Sequence, residues 1–236
     1  MTNLRTAHRF CRVHLVYPLA LSTLLCVVLI VARVVVSNSR HYQFLVWNLF
    51  LAWLPYAFTL WVIATRRRTP GRVAKAALPA GLWLLFLPNA PYILTDFIHL
   101  GRVRGAPLWF DAALIGTFAA AGLALGLGSL LVVHRVVEAR AGRVVGWAVA
   151  VSSLMLSAIG IYLGRFPRFN SWDVITDPHG LAPVVLQRLA DPFGNTFLLR
   201  FGAVMSTLLL ASYLVAWVLG RGLLGPVQGR SRVARR

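Results

Sequence analysis

Apolar residues run along this chain in long unbroken blocks, and the polar residues gather between them. Crossing about 30 Å of hydrocarbon takes roughly 20 helical residues. Blocks at residues 15–36, 44–64, 76–100, 112–133, 144–164 and 197–219 all reach that length. The pattern predicts an all-α fold, a polytopic transmembrane helix bundle of six spans. The longest link, residues 165–196, leaves no room for a separate soluble domain, so residues 1–224 read as one transmembrane domain. Inside that link "LAPVVLQRLA", residues 181–190, is apolar but too short to span, and Pro183 suits a first helical turn. A short helix lying at the membrane surface is expected there. Residues 225–236 are small, polar and basic, and read as a disordered cytoplasmic tail.

Composition excludes a water-soluble domain: 58% of residues are hydrophobic, 13% are charged, and the mean hydropathy is +0.73. A net charge of +18 would point to nucleic acid in a soluble protein. Its distribution points elsewhere. Of the 24 Lys and Arg, 16 fall on one side of the predicted spans and 6 on the other, with Arg33 and Arg200 inside span ends where they can snorkel. The positive-inside rule then places both termini in the cytoplasm, an N-in/C-in topology. The expected partner is a bilayer with anionic lipid at the basic face; no nucleic acid and no cofactor are expected. Five of the six acidic residues, Asp96, Asp111, Asp173, Asp177 and Asp191, map to the opposite, outer side.

The first block follows three arginines as a signal peptide would, but it is long for one and lacks a convincing cleavage site, so it reads as a span. Cys11 and Cys26 would lie about 22 Å apart on a helix, too far to pair. Gly122 with Gly126, Ser153 with Ser157, and Gly160 with Gly164 form small-residue pairs at four-residue spacing, which let helices approach closely. They predict an internal seam or, alternatively, a homo-oligomer face. Trp47, Trp61, Trp83, Trp109, Trp172 and Trp217 fall near span ends, as interfacial anchors do.

The stretch "FLPNAPYILTDFIHL", residues 86–100, interrupts the third block with two prolines. Pro88 and Pro91 lack N–H donors and free the carbonyls around Leu84 and Leu87. Such carbonyls cannot face lipid. Neighbouring helices, Asn89 or water in a cavity must meet them, as a packed kink or as the wall of a binding site with Asn89, Tyr92 and Thr95 on it. Asp96 and His99 share a helical face and lie on the same side as Asp111, Asp173, Asp177 and His179. Arg102, Arg104, Arg165 and Arg168 are also on that side. This group fits simple ion pairing, a divalent cation, or an anion or lipid headgroup held by the arginines; which metal, if any, stays open. No zinc signature, nucleophile elbow or phosphate loop occurs.

Together with "GIYLGRFPRFNSWDVITDP", residues 160–178, the proline-broken stretch resembles the paired signature of DUF1361, a family of six-span bacterial membrane proteins known only as a domain of unknown function. The matching positions are Pro88, Asn89, Pro91, Tyr92, Thr95, Asp96, Gly164, Arg165, Asn170, Ser171, Trp172 and Asp173. The resemblance implies a multi-pass protein of the bacterial cytoplasmic membrane and carries no catalytic residue with it. Asn89, Tyr92, Thr95, Asp96, His99, Arg165, Arg168, Asn170, Trp172 and Asp173 are the candidate polar site. Three functions follow as expectations: a small-solute or lipid transporter or binding protein with an outer-facing site, a non-catalytic assembly or envelope factor, and a membrane-embedded enzyme acting at the outer leaflet.

Overall fold

A computed structural model describes residues 16–68, 74–101, 105–191 and 193–224. The basic tail at 225–236 and the arginines at 5, 9 and 12 lie outside the described residues. Helices are the only regular elements among the described residues, in the order α1 (Val16–Ser37), α2 (Phe44–Arg68), α3 (Ala74–Phe86), α4 (Asn89–Tyr92), α5 (Leu108–Ala141), α6 (Arg143–Arg165), α7 (Asp173–Thr176), α8 (Pro178–Ala190) and α9 (Thr196–Leu224). Short 3-10 helices stand at His41–Gln43 and Ile93–His99. Six segments are long and apolar enough to cross a membrane, with α3, α4 and the second 3-10 helix together making the third. This is an all-α multi-pass membrane protein.

Element ends follow local chemistry. The sequence predicts a fourth span over residues 112–133, yet α5 runs for 34 residues, about 51 Å at 1.5 Å per residue. It continues through Arg135, Glu138 and Arg140, which favour helix though they are not apolar. Gly142, at φ 87°, ends it and leads directly into α6. The surface helix predicted to begin at Leu181 begins at Pro178 instead. Asp177 caps it by accepting from the Gly180 N–H at 2.9 Å, which puts Pro178, and not Pro183, in the first turn. At the start of α9, the Leu198 N–H donates to Asn195 Oδ1 at 2.9 Å, and the Asn195 amide donates to the Tyr162 hydroxyl at 3.0 Å. The same residue caps one helix and ties it to another.

α5 is the central helix, flanked by α1, α2 and α6, with α9 packed on α6. Trp83 corrects the expectation of an interfacial anchor: it is buried, and its indole N–H donates to Ser129 at 3.2 Å, joining α3 to α5. One end of the bundle collects the α1–α2 link, the residues after His99 and the long α6–α9 connection; it is called the loop end below.

Candidate functional site

The two prolines divide the third span as their missing donors require. α3 stops at Phe86, a turn at residues 87 and 88 follows, and α4 restarts at Asn89. The Leu87 carbonyl accepts from the Ala90 N–H at 3.2 Å, and the Phe86 carbonyl from the Asn89 side-chain amide at 3.0 Å. The Leu85 carbonyl accepts from the Ser171 hydroxyl at 3.1 Å, and that hydroxyl in turn accepts from Asn89 at 2.8 Å. Ser171 comes from the long connection. The broken span and that connection are therefore stitched together through main-chain groups that a regular helix would have satisfied itself.

Close packing holds the break in place. A Cβ added at Gly122 would stand 2.5 Å from the Ala90 carbonyl oxygen, one at Gly126 2.8 Å from the Ala90 Cβ, and one at Gly160 2.6 Å from the Pro88 ring. The glycine pairs of α5 and α6 are internal seams, and what they admit is the break itself, from Pro88 to Tyr92.

Beyond α4, the seven-residue 3-10 helix carries Thr95 and Asp96. Asp96 is 1% exposed and Arg165, at the end of α6, 10%. Arg165 Nη2 donates to Asp96, while Nε donates to Thr95 Oγ1 at 2.7 Å. The Thr95 hydroxyl spends its own proton on the Tyr92 carbonyl at 2.7 Å. The Arg165 guanidinium lies 4.3 Å from the centre of the Tyr92 ring, a cation–π contact. On the other side, Asn48 of α2 donates to Asp96 Oδ2 at 2.8 Å. Asn48 escaped the sequence reading; its only signal is a lone amide inside an apolar block.

The outer carboxylate and histidine group does not converge. Asp111 pairs with Arg33, whose Nε and Nη2 donate to its two oxygens at 2.5 and 3.1 Å. Arg33 was expected to snorkel; it is 1% exposed, because Asp111 supplies a planar bidentate acceptor inside the bundle. The Tyr42 hydroxyl lies 3.2 Å from Asp111 Oδ2 and 3.2 Å from the His99 carbonyl oxygen. The His99 ring rests against Phe44, with centres 4.9 Å apart. Asp173 accepts from the Asn170 N–H at 2.6 Å and the Thr176 hydroxyl at 3.1 Å, so it organises its own loop, as Asp177 does at α8. Arg168 and His179 are exposed. Among the described residues no three His, Cys, Asp or Glu side chains come together to hold a metal.

Asn89, Tyr92 and Asn170 do come together, on the wall of a cavity of about 480 Å³ bounded by α2, the broken span, α6 and the long connection. Its loop end is polar, with Asn48 and Ser171 beside those three residues; its far end is apolar, with Gly81, Leu84, Leu85, Leu156 and Ile159. Phe169, Val174 and Leu181 reach over it from the connection. Trp172 packs edge-on to Trp47, ring centres 6.3 Å apart, at the same end. Asp96, Arg165 and Thr95 stand behind this wall rather than on it.

No curated protein and no solved structure matches the chain. Residues 47–211 match the family model described as "Protein of unknown function (DUF1361)". That match takes in the whole broken span, Arg165 and the connection that lids the cavity, and the chain belongs to this DUF1361 family.

Proposed function

We propose that this protein binds an amphiphilic molecule of the membrane in the cavity beside its broken third span. The observation that carries the reading is the cavity's polarity gradient: amides and hydroxyls at the loop end, leucine and isoleucine about 6–12 Å further along α3 and α6. Its volume of about 480 Å³ is in the range of small-molecule sites. Leu84, Leu156 and Ile159 are exposed as well as lining the cavity, and α6 meets the third span mainly at α4 rather than at α3. A chain can thus enter sideways between α3 and α6 while its head stays at the loop end. The distribution of Lys and Arg favours placing the loop end on the outer side of a cytoplasmic membrane and the basic end against anionic lipid.

In a background with Cys11 and Cys26 replaced by alanine, Asn89→Cys tests this. It should react with a membrane-impermeant maleimide added at the loop end and be protected by a single-chain lipid; Thr95→Cys, behind the wall, should react far more slowly. Complete inaccessibility of Asn89→Cys contradicts the reading. Labelling of the same cysteine from the opposite side as well would extend binding to transport.

One observation favours a second reading, an assembly factor. The break is packed tightly against Gly122 and Gly160, and Asp96 is closed off by Arg165 and Asn48. A stable protein partner recovered after mild solubilisation, with no lipid protection of Asn89→Cys, would favour it.

A further inference from the structure

The hydrogen-bonding state of the cavity wall limits the head that it can take. Both amide hydrogens of Asn89 are committed, one to the Phe86 carbonyl and one to Ser171 Oγ. The single hydrogen of Ser171 goes to the Leu85 carbonyl. One hydrogen of the Asn48 amide goes to Asp96 Oδ2. What these residues leave for a ligand is mostly acceptors: Asn89 Oδ1 and Asn48 Oδ1 have no protein donor among the described residues, and Ser171 Oγ keeps a lone pair. The remaining side-chain donors are the Tyr92 hydroxyl, the Trp47 indole N–H, the second amide hydrogen of Asn48, and the Asn170 amide, which has one long contact of 3.4 Å to Asp173.

No charged side chain among the described residues lines the cavity. Arg165 holds Asp96 and Thr95 and lies over the Tyr92 ring, and Arg168, exposed at the loop end, stands outside the lining. A phosphate head brings negative charge and several acceptors, which the lining meets with neutral groups only. A head carrying hydroxyl groups brings a donor for each carbonyl oxygen and an acceptor for Tyr92. Resting on the function proposed above, we infer that the occupant is a lipid with an uncharged, hydroxyl-bearing head, and that anionic phosphate heads are disfavoured. The amide carbonyls of Asn89 and Asn48 read the head, and the leucine-lined end takes the chain. One uncompensated polar contact in such a site corresponds to a discrimination on the order of tenfold.

The test uses the full chain in phosphatidylcholine nanodiscs with two photo-crosslinkers of equal chain length carrying a diazirine on the chain: a monoacylglycerol, with a neutral diol head, and a lysophosphatidic acid. Labelled peptides are mapped by mass spectrometry. The diol probe should label the segments around Leu84 and Leu156 about tenfold more than the phosphate probe. Gly81→Leu should remove that labelling without lowering the thermal midpoint, because a Cβ at Gly81 meets nothing within 4 Å and the side chain fills the cavity. Equal or stronger labelling of those segments by the phosphate probe, lost in Gly81→Leu, overturns the head assignment and leaves the cavity reading standing. Labelling by neither probe, or labelling indifferent to Gly81→Leu, overturns the cavity reading itself.

Discussion

Pro88 of the broken span lies against Gly160 of α6 so closely that one added carbon at Gly160 would come within 2.6 Å of its ring. The neighbour is a fixed pyrrolidine rather than a flexible side-chain end, so relief requires a backbone shift. Overpacking of this kind costs about 1–3 kcal/mol. Gly160→Ala and Gly122→Ala are expected to lower the thermal midpoint in detergent. Gly202→Ala, where a Cβ meets nothing within 4 Å, should leave it unchanged or raise it slightly through helix propensity. Equal midpoints for all three would show that the break is not held by this packing.

Asp96 and Arg165 form a buried pair, and removing one partner of such a pair strands the other charge at a cost of about 3–5 kcal/mol. Asp96→Asn and Arg165→Met should each reduce the amount of folded protein recovered from membranes. The double variant Asp96→Leu with Arg165→Met should recover more than either single change, because no buried charge is left over. A double variant no better than the singles would mean that the pair does more than hold the two helices together.

The Arg33–Asp111 contact is bidentate, and a lysine cannot reproduce two parallel N–H donors. Arg33→Lys is therefore expected to destabilise nearly as much as Arg33→Leu, measured as the thermal midpoint of the purified protein. Tyr42→Phe should cost less, about 1–3 kcal/mol, since it removes one hydroxyl shared by Asp111 and the His99 carbonyl. If Arg33→Lys matched the parent, simple charge rather than geometry would be what the site needs.

Much of this fold was legible because its causes are local. Block length alone marks all six spans, and the missing N–H of Pro88 and Pro91 marks the break within the third. The spacing of Gly122 and Gly126 marked a seam but not its occupant, since small residues say that something approaches and not which segment does. Arg33 was misread for a related reason. From the sequence it stands at a span end, where snorkelling is the default, and its partner is 78 residues away. Asp173 and Asp177 looked like members of a shared cluster because side and charge were visible, whereas the backbone N–H groups that hold them depend on turns seen only in the folded chain. The cavity has the same origin: its polar and apolar ends come from four separate segments.

The charge distribution predicts orientation independently of the cavity. Fusions of alkaline phosphatase within residues 166–195 should be active, and green fluorescent protein fused after Arg236 should be fluorescent, in a bacterial host. The reverse pattern would put the loop end in the cytoplasm and remove the outer-face part of the proposal.

The central claim is that a membrane amphiphile occupies the space between the broken span and α6, and a structure of the protein in lipid nanodiscs measures this directly. Elongated non-protein density is predicted from Asn89 and Ser171 at the head end to Leu84 and Leu156 at the chain end, passing between α3 and α6. A collapsed cavity with α3 packed against α6 and no such density would contradict it.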